Sequence, residues 1–225
     1  MDHMVDEISE DDIMYLVNAV AFDAVWKVPY ESGSIIEDAQ FTDVDGKTSK
    51  VKLMQSDEPL GIYNENDDAI GFVKPYAGNY SFVALLPEES EDIWTYVNNL
   101  DGKTFAQYVE NAGKRKVTAF IPEFETSFET DMKEVLEQMG VKDIFDDSRA
   151  DLSTMLSDSA RTAVKKIIHK TEITVNEKGT KAASSSYVDV VTRDRTDVRL
   201  DRPFVYAVID NTTNIPLYLG VVISL

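Results

Sequence analysis

Glu177-Lys178-Gly179-Thr180-Lys181-Ala182-Ala183-Ser184-Ser185-Ser186-Tyr187-Val188-Asp189-Val190-Val191-Thr192-Arg193-Asp194-Arg195-Thr196 is the stretch on which the fold turns. It is too long for an ordinary connection, because structureless loops beyond about 12–15 residues in compact domains tend to be functional or disordered. Parity separates its two sides. The even positions Thr180, Ala182, Ser184, Ser186, Val188 and Val190 carry no charge, whereas the odd positions hold Lys181 and Asp189 beside Ala183, Ser185, Tyr187 and Val191. A period of two gives one face fit for burial and one for water. The first half consists of small residues with weak strand propensity, so a free-standing hairpin arm is a poor reading. Two readings stay open from the pattern alone: a flexible Ser/Ala loop, or a segment able to enter an existing sheet, where small side chains need no large cavity.

Both flanks read as strands. In residues 164–175, Ile167, His169, Ile173 and Val175 share one parity and Lys166, Lys170 and Glu172 the other, which puts His169 on the apolar side. Residues 204–209 and 217–223 are apolar runs joined by Asp210-Asn211-Thr212-Thr213-Asn214, the pattern of a buried hairpin. Far upstream, residues 14–22 are apolar at odd and even positions alike, as expected of a central strand. Asn18 is the exception there, an amide that needs hydrogen-bond partners wherever it is buried.

Between these lie β-prone segments broken by turns, at residues 40–44, 48–54, 69–74 and 80–86. Helical spacing follows at Ile93, Trp94, Val97 and Leu100 after Ser90, and at Phe105, Tyr108, Val109 and Ala112 before Gly113. Residues 116–121 read as a strand, and residues 131–139 as an amphipathic helix capped by Thr130 and stopped at Gly140. With no internal repeat or linker-like shift, the chain is read as a lead-in at residues 1–13, of which 1–4 resemble a vector scar, and one domain at 14–225.

Composition narrows the function. Lys and Arg number 22 against 41 Asp and Glu, and a net charge of -19 argues against sequence-independent nucleic-acid binding and repels anionic membranes. No apolar run approaches the roughly 20 residues that cross a bilayer. The absence of cysteine excludes thiol nucleophiles and thiolate metal sites, and only His3 and His169 are available as histidines. Asp43, Asp45 and Gly46 read as a hairpin turn, since the later ligands of a calcium loop are missing. No catalytic set, metal or cofactor is expected, and the chain is not read as an enzyme.

Several blocks in series carry a resemblance. They are Leu16-Val17-Asn18-Ala19-Val20-Ala21-Phe22 with Trp26; Pro75-Tyr76, Gly78-Asn79-Tyr80-Ser81 and Leu85-Leu86-Pro87; Asp151-Leu152-Ser153; Ile168-His169-Lys170; Val175-Asn176-Glu177-Lys178-Gly179-Thr180-Lys181-Ala182-Ala183; Arg202-Pro203-Phe204; and Leu217-Tyr218-Leu219-Gly220. In order and spacing the chain resembles the serpins, protease inhibitors that trap their target by a cleaved loop. The resemblance implies an α+β fold, β-rich, with several sheets and short helices, and a chain that begins late, without counterpart to the N-terminal helical portion. That missing portion would then be a partner of this one. It also implies a reactive loop at about residues 177–202 and a target serine protease as partner, with no nucleic acid or membrane; it favours an extracellular setting.

The resemblance also assigns roles. Arg193 falls where the scissile carbonyl is donated and Asp194 on the leaving side, with Thr192 and Arg195 the neighbouring alternatives; an arginine there suits a trypsin-like protease. Glu177, Gly179, Thr180, Ala182 and Ala183 match the hinge of inhibitory members, and Asn18 and His169 the polar pair that closes the sheet under the insertion point. A non-inhibitory carrier or chaperone-like serpin, or a truncated one without inhibitory activity, is the competing reading. One departure is Glu123, at a position where serpins often carry a base facing the glutamate that matches Glu177. Two carboxylates do not pair favourably, so Lys178 or another base takes that role, or the sheet opens more readily.

Overall fold

The computed structural model describes residues 15–22, 24–58, 60–63, 69–113, 116–154, 163–177 and 196–225. Its elements, in chain order, are β1 (Tyr15–Phe22), β2 (Ile35–Thr42), β3 (Thr48–Glu58), β4 (Leu60–Tyr63), β5 (Ala69–Pro75), β6 (Tyr80–Pro87), α1 (Ile93–Asn99) and α2 (Gly102–Glu110). There follow β7 (Val117–Pro122), β8 (Phe124–Asp131), α3 (Lys133–Gln138), β9 (Lys166–Val175), β10 (Thr196–Arg199), β11 (Phe204–Asp210) and β12 (Pro216–Val222). No helix among the described residues is long and apolar enough to cross a membrane. The strands form three sheets, and the chain divides into two compact units: Met1–Phe22 with Glu125–Ile173, and Asp23–Phe124 with Thr174–Leu225.

The first unit contains the three-stranded sheet ordered β1-β9-β8. β1 and β9 are parallel, in unbroken register from Tyr15 opposite Lys166 to Phe22 opposite Ile173. The expectation of a central β1 is corrected here. Among the described residues β1 is an edge strand, and Leu16, Val17, Asn18 and Ala19 are exposed, on both parities. Single parity also fails in β9, where Ile168 is buried as well as Ile173 and Val175. α3 is shorter than its spacing suggests and has no side-chain cap from Thr130. β8 runs through to Asp131, whose Oδ1 accepts the N–H of Lys133 at 3.0 Å and of Ile167 at 3.2 Å; one carboxylate thus starts the helix and ties it to β9.

In the second unit, the antiparallel sheet ordered β12-β11-β6-β5-β4 forms the centre of the core. β6 and β11 lie inside it and are buried along nearly their whole length, which matches their continuous apolar runs. β12 is its edge and leaves Leu217 and Leu219 exposed, so only one arm of the expected hairpin is fully buried. α1 and α2 lay Ile93, Tyr96, Phe105 and Tyr108 on the cluster that includes Val83, Leu85, Val205 and Ile209, each such side chain adding about 1.5–3 kcal/mol by burial. Asp92 and Asp101 cap them, accepting the N–H of Thr95 and Thr104 at 2.9 and 2.7 Å. The other sheet, ordered β10-β7-β3-β2, begins with a hairpin whose turn is closed by Asp43 Oδ1, accepting from the N–H of Asp45 and Lys47, with Gly46 at φ 79°. That turn uses the acidic residues as a hairpin would.

Candidate functional site

Of the residues singled out above, Asn18 and His169 stand directly opposite each other in the β1–β9 register. His169 is half-buried and Asn18 exposed, so Asn18 is not the buried amide expected of a covered strand. Glu177 is half-buried, two residues past the end of β9. Gly179, Thr180, Ala182, Ala183, Arg193 and Asp194, with Thr192 and Arg195, lie outside the described residues. The chain is described again at Thr196, where β10 pairs in parallel with β7; the expected loop of residues 177–202 therefore includes a short strand at its C-terminal end.

The exit of β9 is held by a cluster in the second unit. Residues 25–27 are fastened to the end of β5: the Lys27 N–H donates to the Pro75 carbonyl at 3.0 Å, and the Ala77 N–H to the Val25 carbonyl at 2.6 Å. This backbone clamp places Trp26 flat on Tyr76, with centroids 4.3 Å apart and planes 8° from parallel, and edge-on to Phe82 and Tyr30 at 5.9 and 6.2 Å. With its ring fixed and buried, the Trp26 Nε1–H donates to the Asn176 carbonyl at 3.0 Å. Asn176 immediately precedes Glu177, so the indole grips the backbone at the point where the long segment begins.

Behind the indole lies a buried ion pair. Lys74 Nζ donates to Glu58 Oε1 at 2.6 Å, the two side chains being 3% and 5% exposed. The ammonium also donates to Ser56 Oγ at 3.2 Å and lies 4.5 Å from the Tyr30 ring centroid and 5.3 Å from that of Trp26. Ser56 donates to Glu58 Oε1 at 2.8 Å, and its Oγ is 3.3 Å from the Tyr30 hydroxyl. Burial above all pushes the Tyr30 phenol well above its usual range; the Ser56 contact opposes this and the Glu58 carboxylate adds to it. Burial raises Tyr76 as well. Both phenols therefore stay neutral, leaving Glu58 as the counter-ion of Lys74. Removing one member of such a pair costs about 3–5 kcal/mol, because the other is left charged in a dry site.

Sequence reasoning missed this cluster, with Trp26 entering only as part of a motif. A signal was present: Lys74 ends the run Ile70-Gly71-Phe72-Val73-Lys74 in a strand otherwise apolar, and a lone charge in a buried strand needs a buried partner. Glu123, the departure from the serpin pattern, directly follows β7 and lies near a base of the neighbouring strand β3. Its carboxylate lies 3.9 Å from Lys52, itself 3.9 Å from Glu37; these groups are at least 40% exposed, so such pairs contribute about 0–1 kcal/mol.

Comparison with known proteins agrees with this architecture. Tengpin, a thermophilic serpin crystallised in its native state, superposes with a TM-score of 0.89 at 42% identity, over 100% of this chain and 59% of that one. Native protease nexin-1 superposes with a TM-score of 0.82 at 26% identity, over 99% of this chain and 62% of that one. Serpin B12 of Mus musculus is 31% identical over 95% of this chain and 52% of its own, and the alpha-1-antitrypsin homolog of Cyprinus carpio 28% identical over 97% and 58%. The chain thus spans about half the length of the curated relatives it matches. The sequence profile described as Serpin (serine protease inhibitor) matches residues 1–225, and the chain belongs to that family.

Proposed function

We propose that this chain supplies the bait loop and the two receiving strands of a serine protease inhibitor directed at trypsin-like enzymes. The observation that carries this reading is the β1–β9 pair: two parallel strands in direct register, the second running straight into Asn176, Glu177 and the long segment of alternating character. The protease serine oxygen attacks the Arg193 carbonyl; an ester forms, the peptide bond to Asp194 breaks, and the serine proton passes to the departing Asp194 amine. The freed segment hinges at Glu177, Gly179, Thr180, Ala182 and Ala183 and enters between β1 and β9. Its chargeless even face is suited to burial there. Entry separates Asn18 from His169, the polar pair across which the sheet parts. Fully extended, residues 180–193 reach about 45 Å at about 3.3 Å per residue, enough to carry an attached enzyme across a domain. The remaining portion of a complete serpin is the second partner, supplying the frame against which insertion works.

The test mixes the full-length natural polypeptide with trypsin and resolves the products on a denaturing gel. A complex that survives SDS is expected. Clean cleavage without one would contradict inhibition and favour a carrier-type serpin.

A further inference from the structure

The buried pair Glu58–Lys74 is placed where an apolar pair of similar volume would serve stability equally well, since such replacements are often neutral or stabilising. Its geometry has a direction that stability does not require. Glu58 and Ser56 hold the Lys74 ammonium at 2.6 and 3.2 Å, and within the same reach it faces two rings, with the Tyr30 and Trp26 centroids 4.5 and 5.3 Å away. Trp26 is in turn the side chain whose N–H holds the Asn176 carbonyl. We propose that Lys74, anchored by Glu58, is a positioning residue: its ammonium fixes the Trp26 indole over Asn176 and so sets the hold on the backbone entering the segment after β9. The cation attracts the electron-rich ring faces, an effect strengthened by the exclusion of water. Stacking on Tyr76 and the edge contacts with Phe82 and Tyr30 place the ring; the ammonium adds a directed attraction that resists sliding of the indole in its own plane, the motion that would withdraw Nε1 from the carbonyl. The functional consequence rests on the reading above, that the segment after β9 is the bait loop; the positioning itself does not.

The experiment separates positioning from stability. Trp94 is the only other tryptophan in these 225 residues and is 48% exposed; replacing it, and any tryptophan of the remaining portion, by phenylalanine makes Trp26 the sole indole emitter. In the full-length natural polypeptide, K74M alone is expected to lose stability, with Glu58 left unpaired. E58L/K74M is expected to recover the melting temperature but not the shielding: acrylamide quenching of Trp26 should rise about threefold or more, as loss of a cation–π contact allows. Spontaneous loss of trypsin-inhibiting activity on incubation should quicken by a similar factor. Recovery of wild-type quenching together with stability in E58L/K74M would overturn the proposal, because Lys74 would then do no more than neutralise Glu58. Should that variant fail to fold, E58Q/K74Q deletes the charges, keeps polar contacts and makes the same comparison. If the wild type never inhibits trypsin, the functional reading fails while the quenching result still decides the positioning role.

Discussion

If the loop inserts between β1 and β9 as proposed, joining these strands covalently should convert an inhibitor into a substrate. Ala19 and Lys170 are opposite in the parallel register, and neighbouring strands lie about 4.8 Å apart, inside the range of about 4.4–6.8 Å between Cα atoms that a disulfide spans. A strand entering between β1 and β9 doubles the spacing to about 9.6 Å, beyond the roughly 7 Å at which the bond can no longer close. These 225 residues contain no cysteine, so A19C/K170C introduces their only thiols, and any cysteine in the remainder of the full-length polypeptide is replaced by serine before the test. Replacing Lys170 also removes its 3.3 Å contact with Glu129, worth about 0–1 kcal/mol for a partly exposed pair, so the reduced variant should inhibit like the wild type. The assay oxidises the full-length variant, verifies the bond by mass, adds trypsin and measures SDS-resistant complex against cleaved product. Complex yield should fall at least about tenfold with the bond intact, since insertion then requires it to break, while loop cleavage continues. Reduction, with the reductant removed before trypsin is added, should restore trapping. An oxidised variant that traps as well as the reduced one would refute insertion between these two strands.

Trp26→Phe keeps a ring on Tyr76 but removes the donor to Asn176; it should cost about 0.5–1.5 kcal/mol in urea unfolding, the net worth of one hydrogen bond, and wild-type stability would contradict the clamp. Gly71→Ala should destabilise by about 1–3 kcal/mol or prevent folding, because a Cβ there strikes the Ala84 carbonyl oxygen on β6 with only backbone to yield; a neutral result would mean that the β5–β6 ladder can shift. The carboxyl of Asp210 is held below its ordinary range chiefly by the Thr212 N–H, then by that of Thr213. With the folded value depressed, the unfolded chain takes up the proton first. The β11–β12 turn is thus supported above about pH 4 and loses that support as pH falls through the depressed value. Protection of the Thr212 and Thr213 amides, taken relative to intrinsic exchange at each pH, should fall in that window in the wild type and not in D210N; unchanged protection would remove Asp210 from the turn.

The sequence was most legible where pattern and packing agree. β6 and β11 are uninterrupted apolar runs and form the buried interior of their sheet. β8 was not legible: Phe-Glu-Thr-Ser-Phe-Glu-Thr-Asp has the polarity of a loop, and as an edge strand it leaves Phe128 exposed and takes its order from the neighbouring ladder. Nor was β10, four residues whose pairing with β7 is set by tertiary context. β1 misled in the opposite sense. Its two-sided apolarity signals a covered strand, yet Leu16, Val17, Asn18 and Ala19 are exposed. At the site, Asn18 and His169 were found by motif and meet in register, but the clamp of Trp26 on Asn176 joins residues 150 positions apart, a distance at which no local period operates.

The central claim, a bait loop whose cleavage leaves the protease attached, is tested most directly by mass analysis of the denatured products after the full-length natural polypeptide has met trypsin. The account predicts trypsin esterified to a fragment ending at Arg193 and a separate fragment beginning at Asp194. Free trypsin beside two unattached fragments, or attachment at a bond outside residues 177–202, would contradict it.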